Sequence, residues 1–170
     1  MQHLKLPLIL VAIITSVLLL KYLGIAINLS NSMPIGIYQK FKTSVIKHGD
    51  IIALCLPLQI AEQGKAKGYL NHGHCPGDAK PIIKQVIAIP GDDVALTKEN
   101  IIVNGEKYHA PIQTIDHNQH AIAHIQLGNY QNSPGYWLYG RHNPTQSWDS
   151  RYFGHIDINR TEMVVLKHIF

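Results

Sequence analysis

From Leu6 to Ile27 the only ionisable side chains are Lys21 and Tyr22. A stretch so poor in charge has little reason to stay solvated as a loop. As one helix it would rise roughly 33 Å, about the thickness of a bilayer core. Pro7 falls where such a helix begins, and Lys21 lies near its far end, where a long side chain can snorkel. The expectation is a membrane anchor or signal segment over residues 1–27 and an exported domain over residues 28–170. A cleaved secretory signal peptide competes with a retained anchor, because Gly24-Ile25-Ala26 has small residues at a cleavage spacing. Lys5 favours the N-terminal end inside. Either way the domain lies on the periplasmic side of the cytoplasmic membrane, or free in the periplasm after cleavage. Membrane lipid is the first expected partner.

The remainder is nearly balanced in charge. Lys5 and Lys21 take two of the fifteen basic side chains, leaving thirteen against eleven acidic ones. No basic run with interleaved aromatics argues for nucleic acid, and none is expected as a partner. No pattern calls for a cofactor. Cys55 and Cys75 both lie in the exported part, where an oxidising compartment permits a disulfide. Two free thiols are the alternative. Eleven histidines raise a metal question. His72 and His74 precede Cys75, and His117, His120 and His124 are spaced by three and four. No carboxylate or cysteine completes a familiar ligand set, so unrelated surface histidines are the expectation.

The exported part reads as mainly β, an antiparallel or barrel-like domain of short strands with Gly and Pro punctuation. Ile51–Leu56 is an apolar run ended by Pro57. Ile82–Ile89 is a second, closed by Pro90-Gly91-Asp92. Val94–Leu96 and Ile101–Val103 are shorter pieces. Asn104-Gly105 between Ile101-Ile102-Val103 and Glu106-Lys107-Tyr108 is a strong hairpin signal. Tyr136–Tyr139 and Met163–Leu166 supply further strands. Residues 58–70 have some helical character, weakened by Gly64 and Gly68. Residues 109–132 read as a polar excursion.

Three segments carry candidate chemistry. The first is Ser30-Asn31-Ser32-Met33-Pro34-Ile35-Gly36, directly after the apolar stretch. By itself it is a linker with two serines, and a serine hydroxyl is weak without an adjacent base. The second is Lys84-Gln85-Val86-Ile87-Ala88-Ile89-Pro90-Gly91-Asp92. Lys84 is a lone cation in an apolar strand, where burial would lower its pKa toward neutrality and let it accept a proton. A lysine on the solvent face of an edge strand is the bland reading. The third is Gly140-Arg141-His142-Asn143 through Ser147-Trp148-Asp149-Ser150-Arg151-Tyr152-Phe153-Gly154. There Asp149 and Arg151 could pair, and Ser147 could orient a neutral amine.

In order and composition these segments resemble the boxes of type I signal peptidases, which use a Ser-Lys dyad. Met33-Pro34-Ile35-Gly36-Ile37-Tyr38 and Pro81-Ile82-Ile83-Lys84 resemble the TraF branch, the signal peptidases of conjugative transfer. Gly140-Arg141-His142-Asn143 departs from the usual Gly-Asp-Asn. The resemblance implies a signal-peptidase-like β domain with Ser32 as nucleophile and Lys84 as general base. It gives Ser30 an oxyanion role, with the Ser32 N–H, and Ser147, Asp149 and Arg151 supporting roles. The implied substrate is a pilin or other exported precursor, cut and in some members cyclised. Conjugation or type IV secretion components are the implied partners. A general signal peptidase, an inactive membrane-tethered assembly factor and a His-rich metal chaperone are the other readings.

Overall fold

The computed structural model describes residues 5–41, 43, 45–116, 118–158 and 163–170. Helix α1 (Lys5–Tyr22) leads into strands β1 (Ile25–Asn28), β2 (Gly36–Phe41) and β3 (Ile51–Leu54). Helix α2 (Leu58–Ala66) is followed by β4 (His72–Cys75), β5 (Ile82–Ala88), β6 (Val94–Leu96), β7 (Asn100–Val103) and β8 (Glu106–His109). After a long excursion come β9 (Gly128–Tyr130), β10 (Trp137–Tyr139), the short helix α3 (Ser150–Phe153) and β11 (Met163–His168). The architecture is mainly β. Six strands pair in the order β1-β2-β11-β3-β5-β10, and four in the order β8-β7-β6-β9. Every pairing between these strands is antiparallel.

The apolar N-terminal stretch is shorter as a helix than its composition suggests. It stops at Tyr22, because Gly24 turns the chain with φ +70° and β1 then pairs with β2. Residues 25–27, expected in the helix, are therefore strand, and the β domain begins before residue 28. Eighteen helical residues rise only about 27 Å. Among the described residues no helix is long and apolar enough to cross a membrane. The side chains of Leu8, Val11, Ile14 and Leu18 nevertheless stand exposed on α1.

The hairpin forms where Asn104-Gly105 placed it. Asn104 has φ +48° and Gly105 φ +88°, the left-handed pair a two-residue β-turn requires. Helix α2 forms despite its glycine because Ala61 and Gly64 are buried, Gly64 beneath Trp148 and Leu70. Gly68, with φ +73°, sits just past its last turn.

Two apolar clusters lie on β5. Val86 packs with Ile52, Leu54 and Leu138, whereas Ile87 packs with Leu96 and Trp137. β10 serves both clusters by alternation, Trp137 and Tyr139 facing one and Leu138 the other. The buried Asp92 stitches the junction. Its carboxylate accepts from Ile89 N at 2.7 Å and from Asn104 Nδ2 at 2.7 Å, and pairs with His48 Nε2 at 2.6 Å. Burial works against its charge, but these bonds win and hold its pKa below the usual value.

Cys55 and Cys75 form a disulfide, which removes the free-thiol alternative. The bond ties the end of β3 to the end of β4 across a separation of 20 residues. Exchanging both cysteines for serine should cost about 3 kcal/mol by the loop-closure relation. A urea midpoint unmoved by the double substitution would contradict that figure.

Candidate functional site

The segment after β1 is held by side chains rather than by regular structure. Asn28 is 3% exposed. Its Nδ2 donates to the carbonyls of Ser30 (3.1 Å), Met33 (3.1 Å) and Pro34 (2.9 Å). Its Oδ1 accepts from Ser30 N (2.9 Å) and Ser30 Oγ (2.8 Å). From the far side the buried Tyr38 donates its hydroxyl to Pro34 O at 2.7 Å. Met33 is buried and anchors the turn, Ser32 is half-buried and Ser30 is exposed.

Lys84 lies in the middle of β5, opposite Ile52 of β3, and is 4% exposed. It shares a face with Ile82 and Val86, both buried, because alternate strand residues point the same way. Burial lowers its pKa from 10.5 to about 8. The carboxylate of Asp149 opposes that fall, and the guanidinium of Arg151 adds to it. A solvent-face lysine is thereby excluded.

The third segment is organised by one buried ion pair. Asp149 and Arg151 are both fully buried. Arg151 Nε donates to Asp149 Oδ1 at 2.8 Å, and Arg151 Nη2 to Asp149 Oδ2 at 2.8 Å. The guanidinium also donates to the carbonyls of Pro111 (2.6 Å), Pro144 (2.6 Å) and Ser147 (3.0 Å). Asp149 in turn accepts from Gly140 N at 3.0 Å and caps α3 through Arg151 N. Ser150 Oγ accepts from Leu138 N at 2.8 Å, which fastens the segment to β10.

These bonds bring Gly140, Ser147 and Ser32 together. A Cβ on Gly140 would stand 1.8 Å from Ser147 Oγ and 3.4 Å from Ser32 Cβ. Only glycine fits there. Ser32 O accepts from His142 N at 3.1 Å, so the departing Gly140-Arg141-His142-Asn143 sequence still clasps the serine segment. Ser147 is tied at its carbonyl by Arg151, yet its buried Oγ has no partner among the described residues. A buried hydroxyl left unmade costs about 1–3 kcal/mol, so a polar group is wanted beside it.

Ser30, Ser32, Lys84 and Ser147 all line one cleft of about 1780 Å³, with Leu54 and Ile115 among its apolar walls. Asp149 and Arg151 are not part of this lining and hold Gly140 N and Ser147 O. The sequence reading missed Asn28. An Asn two residues before a serine is the signal for such a turn, but a polar residue after an apolar run reads as linker. Gly140 shows in the sequence only as part of a motif, and its contact with Ser147 has no sequence signature.

Two of the histidines raised as ligand candidates stand beside carboxylates instead. His72 pairs with Asp78 at 2.6 Å, and His120 lies 3.7 Å from Asp116. His117 lies outside the described residues. Cys55, His74 and Cys75 place ligand atoms within 4.8 Å of one another. The two sulfurs are bonded to each other and offer no thiolates.

Comparison with known proteins adds the following. The sequence profile of the signal peptidase family, peptidase S26, matches residues 1–165. Plasmid transfer protein TraF of Escherichia coli is 30% identical over 145 residues, covering 84% of this chain and 80% of that protein. Conjugal transfer protein TraF of Agrobacterium fabrum is 33% identical over 136 residues, covering 78% and 75%. A crystal structure of a signal peptidase I from Enterococcus faecalis aligns with a TM-score of 0.41 at 18% identity, over 72% of this chain and 98% of that one.

Burial of Lys84 has a cost that can be measured. Between pH 8 and 10.5 the unfolded chain holds a proton that the folded chain has released, so stability rises with pH through that window. Below it the full penalty applies, about 3 kcal/mol for a shift of this size. Lys84→Met should therefore stabilise the domain at pH 7 by up to about 3 kcal/mol. The gain should shrink as pH rises from 8 toward 10.5. Denaturant titrations across pH check this, and a pH-independent difference would contradict it.

Proposed function

Because the chain belongs to the peptidase S26 signal peptidase family, we propose that it is a serine endopeptidase that processes a pilin precursor during conjugative transfer. Ser32 is the nucleophile and Lys84 its general base. The single observation that carries this reading is a lysine buried in an apolar strand, its pKa lowered to about 8, lining the same cleft as Ser32. A protonated lysine cannot take a serine proton; a neutral one can.

In this mechanism the Lys84 amine takes the Ser32 hydroxyl proton as Oγ attacks the scissile carbonyl. The oxyanion that forms is met by donors from the Ser30 hydroxyl and the Ser32 N–H. The C–N bond then breaks, the Lys84 ammonium protonates the leaving amine, and an acyl-enzyme remains on Ser32. Ser147 Oγ, buried and unpaired, donates to the neutral Lys84 amine and orients it. Asp149 and Arg151 fix the position of Ser147. Water attacking the ester gives hydrolysis. The amine of the same pilin attacking it gives a ring, favoured when tethering raises its effective concentration.

The conjugation setting rests on the two TraF relatives. An exported location agrees with the disulfide, which persists in oxidising compartments. The exposed apolar side chains of α1 would lie against lipid.

Ser32→Ala and Lys84→Ala should each abolish processing of a co-expressed precursor in folded protein. Retained processing by either would leave an inactive assembly factor as the better reading. Mass spectrometry of the product separates the two fates of the acyl-enzyme, since a ring is lighter by one water than the linear peptide. Cleavage of many unrelated export signals would instead mark a general signal peptidase.

Rate should also follow the neutral fraction of Lys84. Only about a tenth of a group with pKa near 8 is neutral at pH 7. Turnover should therefore rise about tenfold per pH unit up to pH 7–8 and level off above it. Full activity at pH 5.5 would rule out a lysine base.

A further inference from the structure

We infer that Asn28 is a positioning residue that acts through Ser30, parking its hydroxyl until an oxyanion needs it. This rests on the dyad reading above, in which Ser30 serves the oxyanion.

The Asn28 side chain has one possible orientation. Its Nδ2 faces three carbonyls, those of Ser30, Met33 and Pro34, while Oδ1 faces the Ser30 N–H and hydroxyl. Turning the amide over would set two donors against an N–H and an oxygen against three carbonyls. The three carbonyl bonds therefore aim Oδ1 at Ser30.

A serine hydroxyl carries a single proton. At Ser30 that proton is donated to Asn28 Oδ1 at 2.8 Å. While it is there it cannot stabilise a tetrahedral intermediate in the cleft. Ser30 is exposed and lines the cleft, so its hydroxyl is free to rotate. Once it turns away, Oδ1 keeps the Ser30 N–H at 2.9 Å and is not left unpaired. The exchange therefore trades one hydrogen bond for a stronger one to a developing anion. Asn28 supplies a resting partner that holds the backbone of Ser30 still and gives up the hydroxyl cheaply. Asn28 touches neither the scissile bond nor the proton in flight.

A double-mutant cycle with Ser30 tests this, using purified full chain, a precursor peptide, and thermal melting with an intact disulfide as the check on folding. Ser30→Ala should lower kcat on the order of a hundredfold. Asn28→Ala should lower kcat about tenfold or more with KM little changed, because a Ser30 whose backbone is no longer held meets the oxyanion less well, a loss that falls on the transition state. In the Ser30→Ala background, Asn28→Ala should add less than about threefold. If the two losses multiply, Asn28 merely closes the turn and the inference fails.

Should Asn28→Ala not fold, Asn28→Asp gives a second readout. A carboxylate lacks the donors for three carbonyls, and protonation restores one. The ratio of Asn28→Asp to parent activity should climb as pH falls and stay flat when both chains carry Ser30→Ala, whereas a climb in both backgrounds or in neither would overturn the inference. Failure of the dyad itself is distinguishable: it shows as processing retained in Ser32→Ala or Lys84→Ala, irrespective of Asn28.

Discussion

The site depends on one buried ion pair. Arg151 has no access to water and spends its guanidinium on Asp149 and three backbone carbonyls. Burying two charges is costly unless every donor and lone pair is answered. Here each guanidinium nitrogen and each carboxylate oxygen has a partner, and the partners come from distant parts of the chain: Pro111 early in the excursion, Pro144 and Ser147 in the loop, and Gly140 just after β10. The pair is thus a clamp on loop geometry more than a source of stability. Its removal would leave the surviving partner buried and unpaired, which is the expensive direction.

The clamp also decides what Lys84 experiences. A lone carboxylate behind β5 would raise the lysine's pKa and keep it charged. A lone guanidinium would depress it further and resist any proton arriving there. With both present their effects oppose, and desolvation is left as the larger influence. The strand that positions Lys84 is ordinary, with Ile82 and Val86 packed on the same face as in any core strand. What sets it apart is a cation at one core position of that strand.

Much of this was legible in the sequence, and the rest was hidden for definable reasons. Asn104-Gly105 announced its hairpin because few residue pairs tolerate two successive positive φ angles. The apolar neighbours of Lys84 left a buried and a solvent-face lysine both open, and the choice between them is made by the packing of β5. β1 was hidden because Ile25-Ala26-Ile27 continues the apolar composition of α1, and only the pairing with β2 makes it strand. β2 lay inside a motif read for its serine rather than for Ile37-Tyr38-Gln39-Lys40. β9 sat within a stretch too polar to show alternation, and its partner β6 is remote in sequence. Asn28 and Gly140 matter through contacts with Ser30 and Ser147, and contact is a tertiary property. Local pattern reports the backbone's preferences; it carries no record of which loop lies against which.

The position of β11 has a consequence for timing. This strand runs between β2 and β3, so among the described residues the strand pairing that joins the half of the sheet next to Ser32 to the half that holds Lys84 runs through residues 163–168. Pairings of such long sequence separation form late, because the loop they close must first lose its freedom. A growing polypeptide can contain both residues and still lack the wall that joins them. The cleft is therefore absent from the nascent protein, and whatever chemistry it performs is withheld until synthesis has passed β11.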